Sequence, residues 1–471
     1  LFPSCRFSTR NLLARIGPIA GAAIALAACT PAEPTVLAAD QEPAAALVSA
    51  SPAPTAAYAK TELGDLFGGA PLFGGAPRSV VAGERLNGEL LRRFYARHGF
   101  EPVWTTRQAQ ANSLMNAVLR ARDHGLAPEL FHADLLRSPA TLPALDRELL
   151  LSDAFLSYAD ALARGAMPVE RRRDDEILTP EPIDVAAALD AAIGSPDPAA
   201  AIEALAPMTP TYRLLRQALQ ESRADLPVGG NTRLREIEVN LERERWLPRR
   251  LPADRVWVNV ADERLVLYRD DRVVFSTRVI VGQDDRRNQS PELQASIERI
   301  LFNPPWNIPD DIARNEILPK TGQDPNYLAR HNMVMLPDGV LQQRAGASSG
   351  LGEFLFEMPN RFDVYLHDTP LKHLFSRDGR RISHGCIRVA NAQQLAALLM
   401  QQPLDTIKQT IATGSTIRSA VPTPVPVFVV YQTAFAEFDG RLQFRADVYG
   451  RDAEIWQYLD PKGRAVAGRE R

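Results

Sequence analysis

Through the first half of the chain, apolar residues recur every three or four positions. Glu89 to Phe100 (ELLRRFYARHGF), Ser113 to Leu126 (SLMNAVLRARDHGL) and Leu151 to Gly165 (LSDAFLSYADALARG) each lay an apolar stripe on one helical face, with a glycine at or near the end suited to a C-cap. Ala186 to Ala206 is alanine-rich and predicts helix around a break at Gly194. From Thr232, TRLREIEVNLERERWLP sets Leu234, Ile237 and Leu241 on one face and stops at Pro248. At Val256 the period changes to two. VWVNV, RLVLYR and VVFSTRVIVG alternate around short charged turns, as an antiparallel meander does. Ser296 to Phe302, Gly352 to Met358 and Asp363 to His367 are further strand candidates, and a helix is expected over 392–400 with Asn391 as its N-cap. The apolar run from Val425 suits a last strand or a helix on the sheet. Helices first and strands afterwards predict an α+β chain of separate domains, all-helical and then β-rich.

The intervals between these patterns divide the chain. Residues 303–350 are too long and irregular for a mere connection; they predict a capping or binding element with a short helix over Asp310 to Leu318. Thr30 to Arg78 is rich in Pro, Ala and Ser and is expected to be a linker, unable to bury enough surface to offset its ordering entropy. At about 45 residues it would reach roughly 40 Å root-mean-square. Its direct repeat LFGGAP-LFGGAP, Leu66 to Pro77, suggests a duplicated linker element and no function. Arg6, Arg10 and Arg15 precede an apolar run, Ile16 to Ala28, too short to span a bilayer comfortably, which reads as an export signal. That run ends in Leu26-Ala27-Ala28-Cys29, which resembles a bacterial lipobox with Cys29 lipidated; the alternative is a plain signal peptide with an incidental cysteine. The expected divisions are a signal (1–29), a linker (30–79), a helical domain (80–250), a β-rich domain (251–420, cap about 305–350) and a C-terminal extension packed on the latter (421–471).

Charge excludes more than it proposes. A formal net charge of −3 gives no basic excess for nucleic acid, and the densest charge run, Arg171 to Glu176, cancels itself and reads as a solvated loop or helix face. Three cysteines cannot form a disulfide framework, and Cys5 and Cys29 both lie in the N-terminal segment, which leaves Cys386 alone in the folded part.

Around that cysteine the chain gathers its histidines. Residues 365–389 read YLHDTPLKHLFSRDGRRISHGCIRV and hold three of the chain's seven. His367 ends a strand, and Cys386 follows inside Ser383-His384-Gly385-Cys386-Ile387-Arg388. An imidazole within reach raises the thiolate fraction and can carry the proton to a leaving amine. Gly385 lets the backbone turn sharply, so that amides of His384, Gly385 and Cys386 can face a developing oxyanion. His367, His373, His384 and Cys386 match no common zinc spacing, so no metal or cofactor is expected. A papain-like hydrolase runs Cys first and His later. The reverse order here leaves sortase-like and L,D-transpeptidase-like acyl transfer.

His367-Asp368-Thr369, followed within twenty residues by Ser-His-Gly-Cys-Ile-Arg, resembles the catalytic signature of the L,D-transpeptidase (YkuD-like) family. NPPWNIP at Asn303, the HDTPLKHLFSRDGR run and the Val256 meander resemble its larger, scaffold-bearing subgroup, as do FYARHGFEPVWT at Phe94 and DHGLAPELF at Asp123. The resemblance covers most of residues 85–450. It implies a helical scaffold before a β-rich catalytic domain with a capping insertion, and acyl transfer on peptidoglycan. Cys386 would attack the carbonyl of the third residue of a stem tetrapeptide, release D-Ala, and pass the acyl group to an amine on a neighbouring stem. His367 would move the protons, with the backbone of Asp368 orienting it. Tyr365, Trp306 and Ser383 would line the donor site, and Arg388 would hold the loop or pair with a substrate carboxylate. Carbapenem β-lactams would acylate Cys386. The expected protein is exported, periplasmic and held by its lipid, with Thr30 compatible with the outer membrane. Hydrolysis to a tripeptide, attachment of a protein to the wall, and a non-catalytic peptidoglycan-binding lipoprotein are the alternatives.

Overall fold

The helices fall where the apolar stripes put them. In the computed structural model, which describes residues 56–67, 80–137, 142–224 and 232–460, Gly88–Arg97 is capped by the Asn87 side chain and buries Leu90, Leu91, Phe94 and Tyr95. The long helix Ala144–Arg164 is the axis of this half and is buried along most of its length. Each large apolar side chain removed from water there, Phe155 and Leu156 among them, contributes about 1.5–3 kcal/mol. The alanine-rich region divides as expected into Val185–Ile193 and Pro198–Glu203, and Thr232–Glu244 completes the set.

One expectation about the linker is overturned. Residues 56–67 form a helix whose Leu63 and Phe67, four positions apart, enter the helical core, with Phe67 stacked on Tyr95 at 5.8 Å. Low overall apolar content hid one short amphipathic stripe. The rest of the linker, most of the repeat, the export signal and Cys29 lie outside the described residues. No helix among the described residues is long and apolar enough to cross a membrane.

The β-rich half is a sheet closed on itself. Its strands begin with β1 (Arg255–Asn259), β2 (Arg264–Arg269), β3 (Arg272–Gly282) and β4 (Leu293–Phe302). The cap follows with β5 (Trp306–Asn307), β6 (Met333–Met335) and β7 (Leu341–Gln343). The remainder are β8 (Phe354–Glu357), β9 (Leu366–His367), β10 (Arg381–Ser383), β11 (Ile387–Val389) and β12 (Ile417–Val430). The nine-stranded sheet has the order β10-β3-β11-β9-β8-β4-β12-β1-β2, and β2 pairs again with β3. Eight strands therefore form a ring, with β10 outside it. Inward positions, such as Val256, Val258, Leu265, Leu267, Leu366 and Ile387, fill one core.

The run from Val425 is a strand, and prolines explain its irregularity. Pro422 and Pro424 fall in the break between Ala420 and Val425 where pairing with β4 shifts, because a proline has no N–H to give a ladder. The expected boundary at residue 420 thus cuts an interior strand; the β-rich unit continues through 430. Beyond it, β13 (Ala434–Ala436), β14 (Leu442–Phe444) and the helix Arg451–Leu459 do not pack on the β-rich domain alone. Ala434, Ile455 and Leu459 join the helical core, whereas Tyr449 joins the barrel core.

The charge run at 171–176 is also not a solvated face. Arg172 lies over the Trp246 ring at 4.2 Å and donates to the carbonyls of Leu178 (2.8 Å) and Arg164 (3.0 Å). Asp175 accepts from the fully buried Arg451 at 2.8 Å, and Arg451 also reaches Glu292 of the barrel at 3.0 Å. Helical domain, barrel and C-terminal helix therefore meet at buried ion pairs. An alternation of charges on paper carries no mark of which partners arrive from elsewhere in the chain.

Candidate active site

Two short parallel strands assemble the chemistry. β9 pairs with β11 in parallel, with Leu366 opposite Ile387 and His367 opposite Arg388. The Ile387 amide donates to the Tyr365 carbonyl at 3.1 Å, which sets Cys386 beside Tyr365. Since Leu366, Ile387 and Val389 point into the core, alternation sends Tyr365, His367, Cys386 and Arg388 to the other face together. His367 and Cys386 are then diagonal neighbours on that face.

The Cys386 loop is held by its own side chains and by a distant strand. The Ser383 hydroxyl donates to the Cys386 carbonyl at 2.6 Å and accepts from the Gly385 amide at 3.3 Å. Ser383 is buried and closes the loop rather than facing a substrate, which corrects the role expected for it. For the same reason the Gly385 amide is already committed, so an oxyanion would rely on the amides of its neighbours. Gly385 has φ +104°, a backbone conformation that favours glycine. Its carbonyl accepts from Ser290 Oγ at 2.7 Å, and Ser290 Oγ in turn accepts from the Gly282 amide of β3 at 3.0 Å. Tyr449 of the C-terminal extension donates to the Gly282 carbonyl at 2.7 Å. Ser290 and Tyr449 carry no motif, and neither was legible as part of the site.

His367 is buried, and burial beside the Arg388 guanidinium pushes it down to about 3; the backbones of Asp368 and Leu351 oppose this. Its Nδ1 has no hydrogen-bond partner among the described residues. The Asp368 carboxylate is turned away, accepting from the Glu353 amide at 3.0 Å and pairing with Lys372. Burial pushes the Cys386 thiol up, against the backbone amide and side chain of Tyr365 and the charge of Arg388, which favour the thiolate. Thiol and imidazole are thus both neutral at rest. Burial also lowers Arg388, whose Nε lacks a hydrogen-bond partner among the described residues.

The cap sits against this face. β5, β7 and β6 make a three-stranded sheet, and the helical turns over 310–321 pack Ala313 and Ile317 with Ile308 and Leu341 in a small core of its own. Trp306, half-buried in β5, interacts with the Tyr365 side chain. Glu316 meets His384 Nε2 at 2.6 Å. His384 therefore turns its ring to the cap, away from the thiol's proton chemistry. Among the described residues no group of three or more His, Cys, Asp and Glu side chains is placed to hold a metal ion.

Residues 253–432 match the family model of the L,D-transpeptidase catalytic domain, and residues 89–219 match that of the Scaffold domain. A Haemophilus influenzae protein bearing the provisional name L,D-transpeptidase is 27% identical over 394 residues, which is 78% of this chain and 78% of its own. The solved catalytic domain of an Enterococcus faecium L,D-transpeptidase acylated by ertapenem is 13% identical; the match covers 38% of this chain and 99% of that one, with a TM-score of 0.21. An L,D-transpeptidase of Xylanimonas cellulosilytica is 14% identical over 48% of this chain and 82% of that one, with a TM-score of 0.20. The match to an avibactam carbamoyl enzyme spans about half, 49%, of that chain, at 12% identity and a TM-score of 0.20.

Proposed function

The chain belongs to the L,D-transpeptidase family, scaffold-bearing subgroup, and from that premise we propose that it transfers acyl groups between peptidoglycan stem peptides through a Cys386 thioester. The observation that carries the reading is the β9–β11 pairing, which puts Cys386, His367, Tyr365 and Arg388 on one face beneath the cap.

Cys386 Sγ attacks the carbonyl of the third stem residue while its proton passes to the imidazole of His367 on the same face. Because both groups begin neutral, transfer accompanies attack instead of preceding it. The tetrahedral oxyanion is met by the amides of His384 and Cys386. The C–N bond then breaks, and His367 returns the proton to the departing D-Ala, leaving the thioester. An acceptor amine attacks the thioester carbonyl, the C–S bond breaks, and the amine's proton returns through His367 to the sulfur. The product is a cross-link between third residues.

Arg388, half-buried on the same face as Cys386, suits the donor's carboxylate through its guanidinium. The cap contacts through Trp306 and Glu316 support an amine acceptor over water, since a covered thioester is shielded from hydrolysis. A β-lactam carbonyl presented to the same thiol would give a stable acyl-enzyme. Intact-mass measurement after incubation with a carbapenem should show one adduct on the wild type and none on Cys386→Ala. A wild-type protein that stays unmodified would count against the proposed nucleophile. We further propose export to the periplasm and anchoring through Cys29; labelling with a lipid precursor, lost in Cys29→Ala, checks this.

A further inference from the structure

The cap reaches the catalytic face by two contacts of different kinds. At its base the Trp306 ring lies against Gly350, where a Cβ would stand 2.9 Å from it, and the Trp306 side chain meets that of Tyr365. Away from the base, the Glu316 carboxylate meets His384 Nε2 at 2.6 Å. Among the described residues, no other hydrogen bond or ion pair joins residues 310–340 to the barrel. Their apolar side chains stay apart from the barrel core too: Ile312, Ala313, Ile317 and Leu318 pack in the cap's own cluster.

The local sequence puts Glu316 in place for this contact. Pro319 has no N–H to offer the Asn315 carbonyl, and the turn over Ala313–Ile317 is widened to the π form. Ala313 and Ile317 enter the cap core, whereas Glu316 keeps 48% of its side chain exposed.

His384, by contrast, is a fixed post. The Ser383 carbonyl before it accepts from the Gln283 amide at 3.0 Å, and the Gly385 amide after it donates to Ser383 Oγ at 3.3 Å. The Gly385 carbonyl is held by Ser290 Oγ. The peptide planes on both sides of His384 are thus fixed without help from the cap, so the Glu316 contact restrains the cap and not the loop. It does so two residues from Cys386. With side chains 48% and 30% exposed, the pair adds little to the stability of the fold and is weak enough to open and close.

We propose that Glu316 and His384 form the latch that keeps the cap shut over the Cys386 thioester, and so set the choice between an amine and water as acceptor. The inference rests on the acyl-transfer reading above and names the pair that controls its outcome. With the latch open, water attacks the thioester carbonyl and the C–S bond breaks. The hydroxyl stays on the acyl carbon and the proton passes to the sulfur, which gives a tripeptide stem in place of a cross-link. Glu316 touches no reacting atom; it is a positioning residue that acts through the cap.

The test compares wild type, Glu316→Ala, His384→Ala (which keeps its backbone amide) and the double variant, all full-length. With disaccharide-tetrapeptides, Glu316→Ala should raise the ratio of tripeptide monomer to dimer about fivefold, near the ceiling for so exposed a pair. It should raise the ratio no further where His384 is already alanine, because the two side chains act as one contact. Amide hydrogen exchange should follow the same pattern, with residues 310–321 exchanging faster in Glu316→Ala and no faster again in the double variant. A ratio that Glu316→Ala leaves unchanged, or raises equally in both backgrounds, would overturn the proposal. So would faster exchange throughout the barrel with a lowered thermal midpoint, which marks a general loosening of the fold. If wild type forms neither product, the transpeptidase reading falls, and the exchange pattern alone decides whether the latch exists.

Discussion

The proposed nucleophile, Cys386, is kept protonated by its surroundings. Desolvation raises the thiol above its ordinary value, and the Tyr365 contacts and Arg388 charge only temper this. The thiolate fraction at neutral pH is therefore below that of a free cysteine. Alkylation by iodoacetamide should accordingly keep rising with pH beyond 9 in the resting enzyme, and a plateau below pH 7 would show a preformed thiolate–imidazolium pair instead. His367 adds no limb near pH 6.5, because it stays neutral down to about 3. Ser290 supplies a second prediction at this scale. Its hydroxyl joins Gly282 to the Gly385 carbonyl, and leaving buried partners unsatisfied costs about 1–3 kcal/mol. Ser290→Ala should lower acylation about 10-fold or more by loosening the nucleophile loop, with an unfolding midpoint still measurable by calorimetry; an unchanged acylation rate would remove Ser290 from the site.

Among elements, the pair β9 and β11 and the turn behind them matter most. Gly352 has φ +62°, and a Cβ there would lie 2.5 Å from Asp368 Oδ2 and 2.6 Å from the Thr369 amide. Gly352→Ala should thus displace the His367-Asp368-Thr369 turn and reduce acylation more than it reduces stability, since the strained contact falls next to the imidazole. Stopped-flow acylation beside a thermal melt separates the two effects. The motif itself was legible in the sequence, because His367 and the Ser383-to-Arg388 run state their chemistry by type and spacing. Their meeting was not, because it depends on a parallel pairing with no local signature. Alternation of period two located the strands around it, whereas DVYLH contributes only Leu366 and His367 to a strand. Ser383 misled for a related reason: next to a catalytic motif, a serine that builds the loop looks the same as one that faces substrate.

The whole molecule is joined by groups that composition made look superficial. Arg243, Glu244 and Arg451 are buried, and their partners Asp452, Gln432 and Glu292 lie far away in sequence, so no periodicity announces them. Glu244 gives the joint a measurable pH dependence. Burial pushes its carboxyl up to about 7 from an ordinary 4.5, outweighing the hydrogen bonds from Thr209 and Gln432. A raised folded value means stability is fully present below about pH 4.5 and is lost as pH rises through about 7, to the order of 3 kcal/mol. Glu244→Gln removes that titration, so its stability relative to wild type should improve across this window in urea melts at successive pH values. A difference that does not vary with pH would show that Glu244 ionises as readily folded as unfolded.

The most direct measurement of the central claim is mass spectrometry of disaccharide-tetrapeptides incubated with the full-length protein and with Cys386→Ala. Dimers lacking one D-Ala, formed by wild type and absent with the variant, are the predicted result. No turnover of the tetrapeptide, with Cys386 inert to a carbapenem, would contradict it.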